Sequence, residues 1–403
     1  MGIDLLLLVV AGAAAAGALA MHATLARALR AGEDPGPEAG GPRLPSVTVL
    51  RPIKGLDAGA RENIEAAFEI DYPGEVETIF LFDDDREPAL PLVEAALERR
   101  GRRGVGRTYR VLFCGAPPPG RTGKLNAMIA GMRHARGELI ACVDSDTRAG
   151  PTVLAGLVRR LLADSRAGAA FAPVAVTDPP LTVADVAYAL LLNGLYSPAA
   201  AWAARRRAGT LPFIMGQFMV LRREALAAIG GLACAEGQLV DDMYLGLRLS
   251  AAGYRNLVGS ERVPIVQQGL AIREAVPMFV RWFAFSRTGL PGRGFKSISW
   301  LRGAFFWLGA ATAAAAAVAG AWAAAALGLG AAFAVAESVN RLHEKAGGAP
   351  VPPRFRWVSA ALLLLAPGLL LAARGRQVVW RGRRYELDSE ARLAARPAAA
   401  GRR

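Results

Sequence analysis

The stretch Leu139-Ile140-Ala141-Cys142-Val143-Asp144-Ser145-Asp146 decides how the rest of the chain is read. Five consecutive apolar residues have the pattern of a strand covered on both faces in a parallel sheet, where neither face meets water. Asp144 and Asp146 follow where such a strand leaves the sheet. In open α/β sheets ligands bind beyond the carboxyl ends of strands, and Asp-x-Asp there offers hard oxygen donors to a divalent cation that also grips phosphate. The competing reading is a polar turn closing a core strand, since Asp and Ser are ordinary turn residues.

Outward from this stretch, apolar strands alternate with amphipathic helices: strands near 47–51, 76–82 and 108–113, with helices near 58–68, 89–100 and 122–135. That alternation predicts a Rossmann-like α/β domain over 47–270 with a mostly parallel sheet covered on both sides. Lys54 follows the first strand, Asp83, Asp84 and Asp85 the second, and Asp144 and Asp146 the fourth. Parallel strands bring those ends to one edge of the sheet, so acids distant in sequence converge there. Lys124 opens a helix, where a cation opposes the dipole; a bound anion such as a diphosphate would compensate it, and simple solvation is the alternative. Further on, a strand is expected at 169–175 and another at 213–221, broken at Gly216. An apolar helix at 181–204 carries Asp185, Asn193 and Pro198, costly in hydrocarbon, together with Tyr188, Tyr196 and Trp202, which suit the headgroup level. It is read as interfacial rather than spanning. Asp241 and Asp242 open the next helix, either as dipole-favoured capping or as site residues.

The chain is 53% hydrophobic over 403 residues, with a formal charge of +14, a combination that suggests membrane segments beside a basic surface facing anionic lipid. A nucleic-acid binder is not indicated, because the arginines lie beside apolar runs. Cys114, Cys142 and Cys234 are too few and too scattered for a disulfide framework or a metal cage. Residues 5–26 carry no full charge and make a helix of about 33 Å, enough for a bilayer core of about 30 Å. Arg27 and Arg30 follow, which places the domain on the cytoplasmic side behind a retained anchor. Residues 31–46, rich in Pro and Gly, read as a linker. Residues 272–300 mix Arg273, Arg281, Arg287 and Arg293 with Phe279, Trp282, Phe283, Phe285 and Trp300, as an amphipathic segment on the membrane surface does. Residues 304–336 are too long for one span and are read as a hairpin turning near Gly320, with one more span at 357–373 and a basic tail at 374–403. Four spans would leave the tail opposite the domain, whereas Arg374, Arg376, Arg381, Arg383 and Arg384 favour the cytoplasmic side; three spans with one long tilted helix would reconcile the two.

The set Asp84, Asp144-Ser145-Asp146, Asp242 and Arg281-Trp282 resembles the signature of family 2 glycosyltransferases with a GT-A fold. RPIKGLD (51–57), FEIDYP (68–73), DREPAL (85–90), VDDMYLG (240–246) and WRGRRY (380–385) are similar to the ceramide glucosyltransferase branch, family 21, and to hopanoid-associated glycosyltransferases. The resemblance implies that Lys54, Asp84, Lys124 and Asp144 bind a UDP-sugar and that Asp144 and Asp146 hold Mg²⁺ or Mn²⁺ on its diphosphate. It makes Asp242 the catalytic base and puts Gln217, Arg281 and Trp282 beside the acceptor and diphosphate. Met278 stands where the family usually has Gln or Arg, and Ser197-Pro198 where ceramide-using relatives have His-Pro, so the acceptor stays open between a ceramide-like and a hopanoid-like lipid. The expected activity is inverting transfer to a lipid hydroxyl by a multi-pass protein, of a bacterial inner membrane in that reading. A polyprenyl-phosphate glycosyltransferase and an inactive membrane-anchored nucleotide-sugar-binding protein are the alternatives.

Overall fold

The computed structural model describes residues 2–30, 44–284 and 293–394, with side chains in the last stretch from 297 onward. The linker expected at 31–46 and the part of the amphipathic segment that holds Phe285 and Arg287 thus lie largely outside the described residues. Helix α1 (Ile3–Arg30) precedes a domain whose main strands are β1 (Val47–Pro52), β2 (Val76–Phe82), β3 (Arg107–Phe113), β4 (Leu139–Val143), β5 (Ala167–Phe171), β6 (Phe218–Arg222) and β7 (Arg255–Val258). The sheet runs β3-β2-β1-β4-β6-β5-β7, with a two-residue strand at each edge. Strands β3, β2, β1 and β4 are parallel neighbours, whereas β6 runs antiparallel to both β4 and β5.

All five residues of β4 are buried, and their alternation explains the unbroken apolar run. Ile140 and Cys142 face one core with Leu125 and Met128 of helix α2 (Gly123–Met132), while Leu139, Ala141 and Val143 face another with Val153, Leu157 and Val158 of helix α3 (Val153–Leu162). The strand expected at 213–221 is confined to β6, because 212–217 is a loop shaped by the site described below. The strand expected at 169–175 is likewise split into β5 and a two-residue piece at Val174–Ala175.

The apolar helix at 183–205 differs from its expected place on the membrane surface. It is packed inside the protein, with Ala184 through Gly194 all buried. Its polar residues are satisfied internally: Asp185 accepts from the backbone N–H of Leu181, Thr182 and Gly269 at 3.0 Å and of Leu270 at 2.9 Å. Asn193 accepts from Val176 N at 2.9 Å and donates to its carbonyl at 2.8 Å. Two of these partners, Gly269 and Leu270, lie more than eighty residues away in sequence, beyond the reach of a hydropathy argument.

Helix α4 (Asp241–Ala251) leads to β7, and helix α5 (Ile272–Ala284) leaves the domain. Helices α6 (Arg293–Val318) and α7 (Trp322–Lys345) form the expected hairpin, turned at Gly320 with φ +73°, a conformation open to glycine. Helix α8 (Val358–Ala372) follows. Four helices of the described residues, α1, α6, α7 and the stretch ending in α8, are long and apolar enough to cross a membrane. The expected basic tail is instead a β-hairpin, β8 (Gln377–Trp380) and β9 (Arg383–Glu386), folded back onto the α/β domain.

Replacing Asp185 by Leu removes the acceptor shared by four half-buried backbone donors, a loss of about 1–3 kcal/mol. Thermal unfolding in detergent should show a midpoint lowered by several degrees for Asp185→Leu, with Leu181→Ser, at an exposed position, unchanged.

Candidate active site

Register fixes the site. Pro52 of β1 lies opposite Leu81 of β2, and Leu50 opposite Cys142 of β4, so the residues just past these strands emerge side by side. The backbone N–H of Asp144 donates to the Gln217 carbonyl at 2.9 Å, which ties the loop before β6 to the end of β4. Thr122 caps α2 by accepting from Leu125 N at 3.1 Å, and this start of the helix sets Lys124 against Asp144 at 2.6 Å. The anion that compensates Lys124 in this structure is therefore Asp144. Burial works against the Lys124 charge, but Asp144, Asp241 and Asp242 outweigh it and hold the ammonium firmly protonated.

Asp242 reaches the same place from the first turn of α4. Its Oδ2 accepts from Gly216 N at 2.6 Å and its Oδ1 from Met243 N at 2.8 Å. A methyl group on Gly216 would lie 2.5 Å from Asp242 Cβ and 2.8 Å from Cγ, so the break in the strand is a cradle only glycine leaves open for this carboxylate. Burial pushes the Asp242 pKa up to about 6; Lys124 pulls it down, and Asp241 and Asp144 push it up. Asp241 is buried beside it, also pushed upward by burial, and its Oδ2 has no hydrogen-bond partner.

Asp146 Oδ1 is likewise buried without a partner, and burial together with Asp144 and Asp57 raises this carboxyl to about 7. A partnerless oxygen beside a second carboxylate fits a hard divalent cation, which would satisfy the oxygen and offset the repulsion. Among the described residues no cluster of three or more metal-ligating side chains occurs. Such a two-carboxylate set suits Mg²⁺ or Mn²⁺ that completes its shell with water and phosphate oxygens, and it lacks the His and Cys donors of a zinc site.

Of the expected residues, Lys124, Asp144, Asp146 and Asp242 meet here, and Gln217 contributes its backbone. Lys54 lies at the neighbouring strand end, paired with Asp83 at 2.9 Å and with Glu87. Asp84 is exposed, its carboxylate accepting from Arg86 N at 2.9 Å; the buried member of the triplet is Asp83. Trp282 packs beside Tyr188 and Tyr196, ring centroids 5.1 and 6.2 Å apart. Arg281 stacks over Trp380 of the C-terminal hairpin at 4.7 Å.

Sequence reasoning missed a second ring of residues. Arg51, buried behind the acids, donates to the carbonyls of Asn63 and Thr147 at 2.8 and 2.9 Å, and burial draws its pKa down to about 10 against the pull of Asp146, Asp144 and Asp57. Asp57 accepts from Ser145 Oγ at 2.5 Å and from Arg381. Arg383 pairs with Asp83 at 2.8 Å. Both ends of the Asp57–Arg381 pair lie in motifs that carry the family resemblance, RPIKGLD and WRGRRY, but nothing in their spacing shows that they touch.

A mostly parallel sheet with acids at its strand ends, followed by helices long and apolar enough to cross a membrane, is the architecture of a GT-A fold with appended apolar helices. The chain belongs to glycosyl transferase family 21, whose model matches residues 6–393. It is 22% identical over 250 residues to ceramide glucosyltransferase 3 of Caenorhabditis elegans, covering 62% of this chain and 52% of that protein. It is 29% identical over 135 residues to ceramide glucosyltransferase of Gibberella zeae, covering 32% and 25%. The chain thus spans about half the length, or less, of these relatives. In fold it is similar to the mannosyltransferase PcManGT from Pyrobaculum calidifontis, solved in complex with GDP-Man and Mn²⁺, with a TM-score of 0.51 and 21% identity over 89% of this chain and 99% of that one.

The Gly216 cradle makes a sharp prediction. Gly216→Ala should displace the Asp242 carboxylate and, on the catalytic role proposed for it below, lower turnover by about a hundredfold or more, because misplacement of a reacting group by about 1 Å costs that much. Nucleotide binding measured by calorimetry should change little.

Proposed function

We propose that this protein transfers a sugar from a UDP-sugar to the hydroxyl of a membrane lipid, ceramide-like or hopanoid-like, with inversion at the anomeric carbon. The observation that carries this reading is the meeting of Asp144, Asp146 and Asp242 around Lys124, on a domain whose exit helix α5 packs Phe279 and Trp282 into the same cluster as membrane-helix residues Phe306, Ala332 and Val335. Family membership, and the Mn²⁺ and nucleotide sugar bound by the structurally similar mannosyltransferase, support the same conclusion.

In this mechanism Asp84 and Lys54 take the uridine side of the donor, and Asp144 and Asp146 are the residues that would hold Mg²⁺ or Mn²⁺. When bound, the cation neutralises charge growing on the leaving diphosphate. Lys124, paired with Asp144 in this structure, is the cation that would pair with that diphosphate. Asp242, with an elevated pKa and two backbone N–H donors fixing its oxygens, takes the proton from the acceptor hydroxyl as that oxygen attacks the anomeric carbon, and the bond to the diphosphate breaks. A single displacement inverts the centre. Gln217, Arg281 and Trp282 line the acceptor and diphosphate side.

The docked C-terminal hairpin supports a three-span topology in this reading. The hairpin lies on the domain that precedes α6, so the chain between them crosses the bilayer an even number of times. Helices α6 and α7 account for two crossings. The apolar stretch ending in α8 is also long enough to cross, but a third crossing would break that parity, so in this reading α8 does not span. It lies in the cytoplasmic leaflet with Leu364, Leu365 and Leu371 exposed toward lipid, giving three spans made by α1, α6 and α7.

Three measurements test the proposal. Mass spectrometry of purified protein incubated with UDP-sugars and extracted lipids should show a glycolipid of inverted configuration, with Asp242→Asn slower by about 10² to 10⁴; a retained configuration or an equally active variant would contradict it. Because only ionised Asp242 accepts a proton, turnover should rise with pH through about 6 and level off above, and Lys124→Gln, which removes the cation that pulls this pKa down, should move that limb to higher pH. In a cysteine-free background an impermeant thiol reagent should reach Val318→Cys from one side of the membrane, and both Val105→Cys and Val379→Cys from the other.

A further inference from the structure

The turn joining β8 to β9 runs against the residue preference of its own backbone. Its two loop residues, Arg381 and Gly382, both have positive φ, +50° and +73°, as in the tight hairpin turns that favour Asn, Asp or Gly at the first position. Arg is disfavoured in this left-handed conformation, and such strain gathers where a side chain has work to perform.

The surroundings of Arg381 indicate the work. Its guanidinium donates to Asp57, whose carboxylate also holds Ser145 of the Asp-Ser-Asp turn. It acts electrostatically on Asp144 and Asp146 as well, yet 36% of the side chain remains accessible. The rest of the hairpin is fastened to the segments that carry the acids. Val378, Leu387 and Leu393 pack on Leu239 and Val240, immediately before Asp241 and Asp242. Leu393 N donates to the Gly237 carbonyl at 2.9 Å, and the Tyr385 hydroxyl accepts from Gly123 N, next to Lys124, at 3.3 Å. A tip held this firmly at the mouth of an acidic pocket places one fork-shaped cation where phosphate oxygens would sit.

We propose that Arg381 is a ligand of the donor's diphosphate, carried into the site by the C-terminal hairpin and resting on Asp57 until the nucleotide arrives. Guanidinium grips phosphate oxygens in pairs, and the negative charge gained by the departing diphosphate falls beside it. This inference rests on the nucleotide-sugar reading above and adds to it a residue from the far end of the chain.

Calorimetry on the full-length protein in detergent, with Mn²⁺ present, can compare UDP with uridine. Arg381→Asn installs a residue the turn prefers but takes the cation away from Asp57, so its fold is checked by circular dichroism rather than by an unchanged thermal midpoint. Its UDP affinity should fall about ten- to a hundredfold, the range for charge-assisted hydrogen bonds, while uridine binding is unchanged. Arg381→Lys, which keeps the charge but not the fork, should recover part of the loss. If the parent prefers UDP to uridine and Arg381→Asn keeps that preference in full, the inference is overturned while the donor reading stands. If the parent itself shows no preference for UDP, both fall.

Discussion

Crowded negative charge is the constraint around which this protein is assembled. Asp57, Asp83, Asp144, Asp146, Asp241 and Asp242 arrive from four separate stretches of chain, and two like charges about 4 Å apart repel by roughly 4 kcal/mol at an effective dielectric near 20. The fold answers with cations drawn from equally distant stretches: Arg51, Lys54, Lys124, Arg381 and Arg383. The compensation is incomplete. Asp146 and Asp241 each keep a buried oxygen with no partner, and Asp146 and Asp242 stay pushed up toward neutrality. A site left short of positive charge is what the proposed cation and its phosphates would complete.

The same constraint gives the membrane elements their arrangement. Arg281 on the exit helix stacks on Trp380 of the hairpin, and Trp282 beside it packs on Tyr188 and Tyr196 of the buried helix that supports the membrane bundle. The acids therefore have the sheet edge on one side and, on another, elements continuous with the long apolar helices. The C-terminal hairpin closes the arrangement by tying chain that follows the last apolar helix back to the acids.

Much of this was legible in the sequence, for physical reasons that can be named. The apolar run of β4 declared a strand covered on both faces, and parallel neighbours then obliged the strand-end residues Lys54, Asp144 and Asp146 to share an edge. The hairpin at Gly320 followed from length alone. Partnerships across long sequence separations were not legible. Asp185 and Asn193 looked like the price of an interfacial position, but tertiary contacts satisfy them in the interior. The arginines at 381 and 383 looked like a cytoplasmic charge bias, and the structure engages them with Asp57 and Asp83. Charge composition reports how many cations a segment has and says nothing of which carboxylates they meet. Gly216 was visible as a break in a strand, and only the side chain packed against it explains the break.

The central claim, that the Asp144–Asp146 turn is built to hold a divalent cation together with a nucleoside diphosphate, is tested most directly by electron paramagnetic resonance of Mn²⁺ titrated into the protein. With UDP present, about one Mn²⁺ per chain should lose its free-ion signal, and Asp146→Asn should abolish that binding while leaving the thermal midpoint at or above the parent's, since the substitution relieves repulsion. Undiminished Mn²⁺ binding by Asp146→Asn in the presence of UDP would contradict the account.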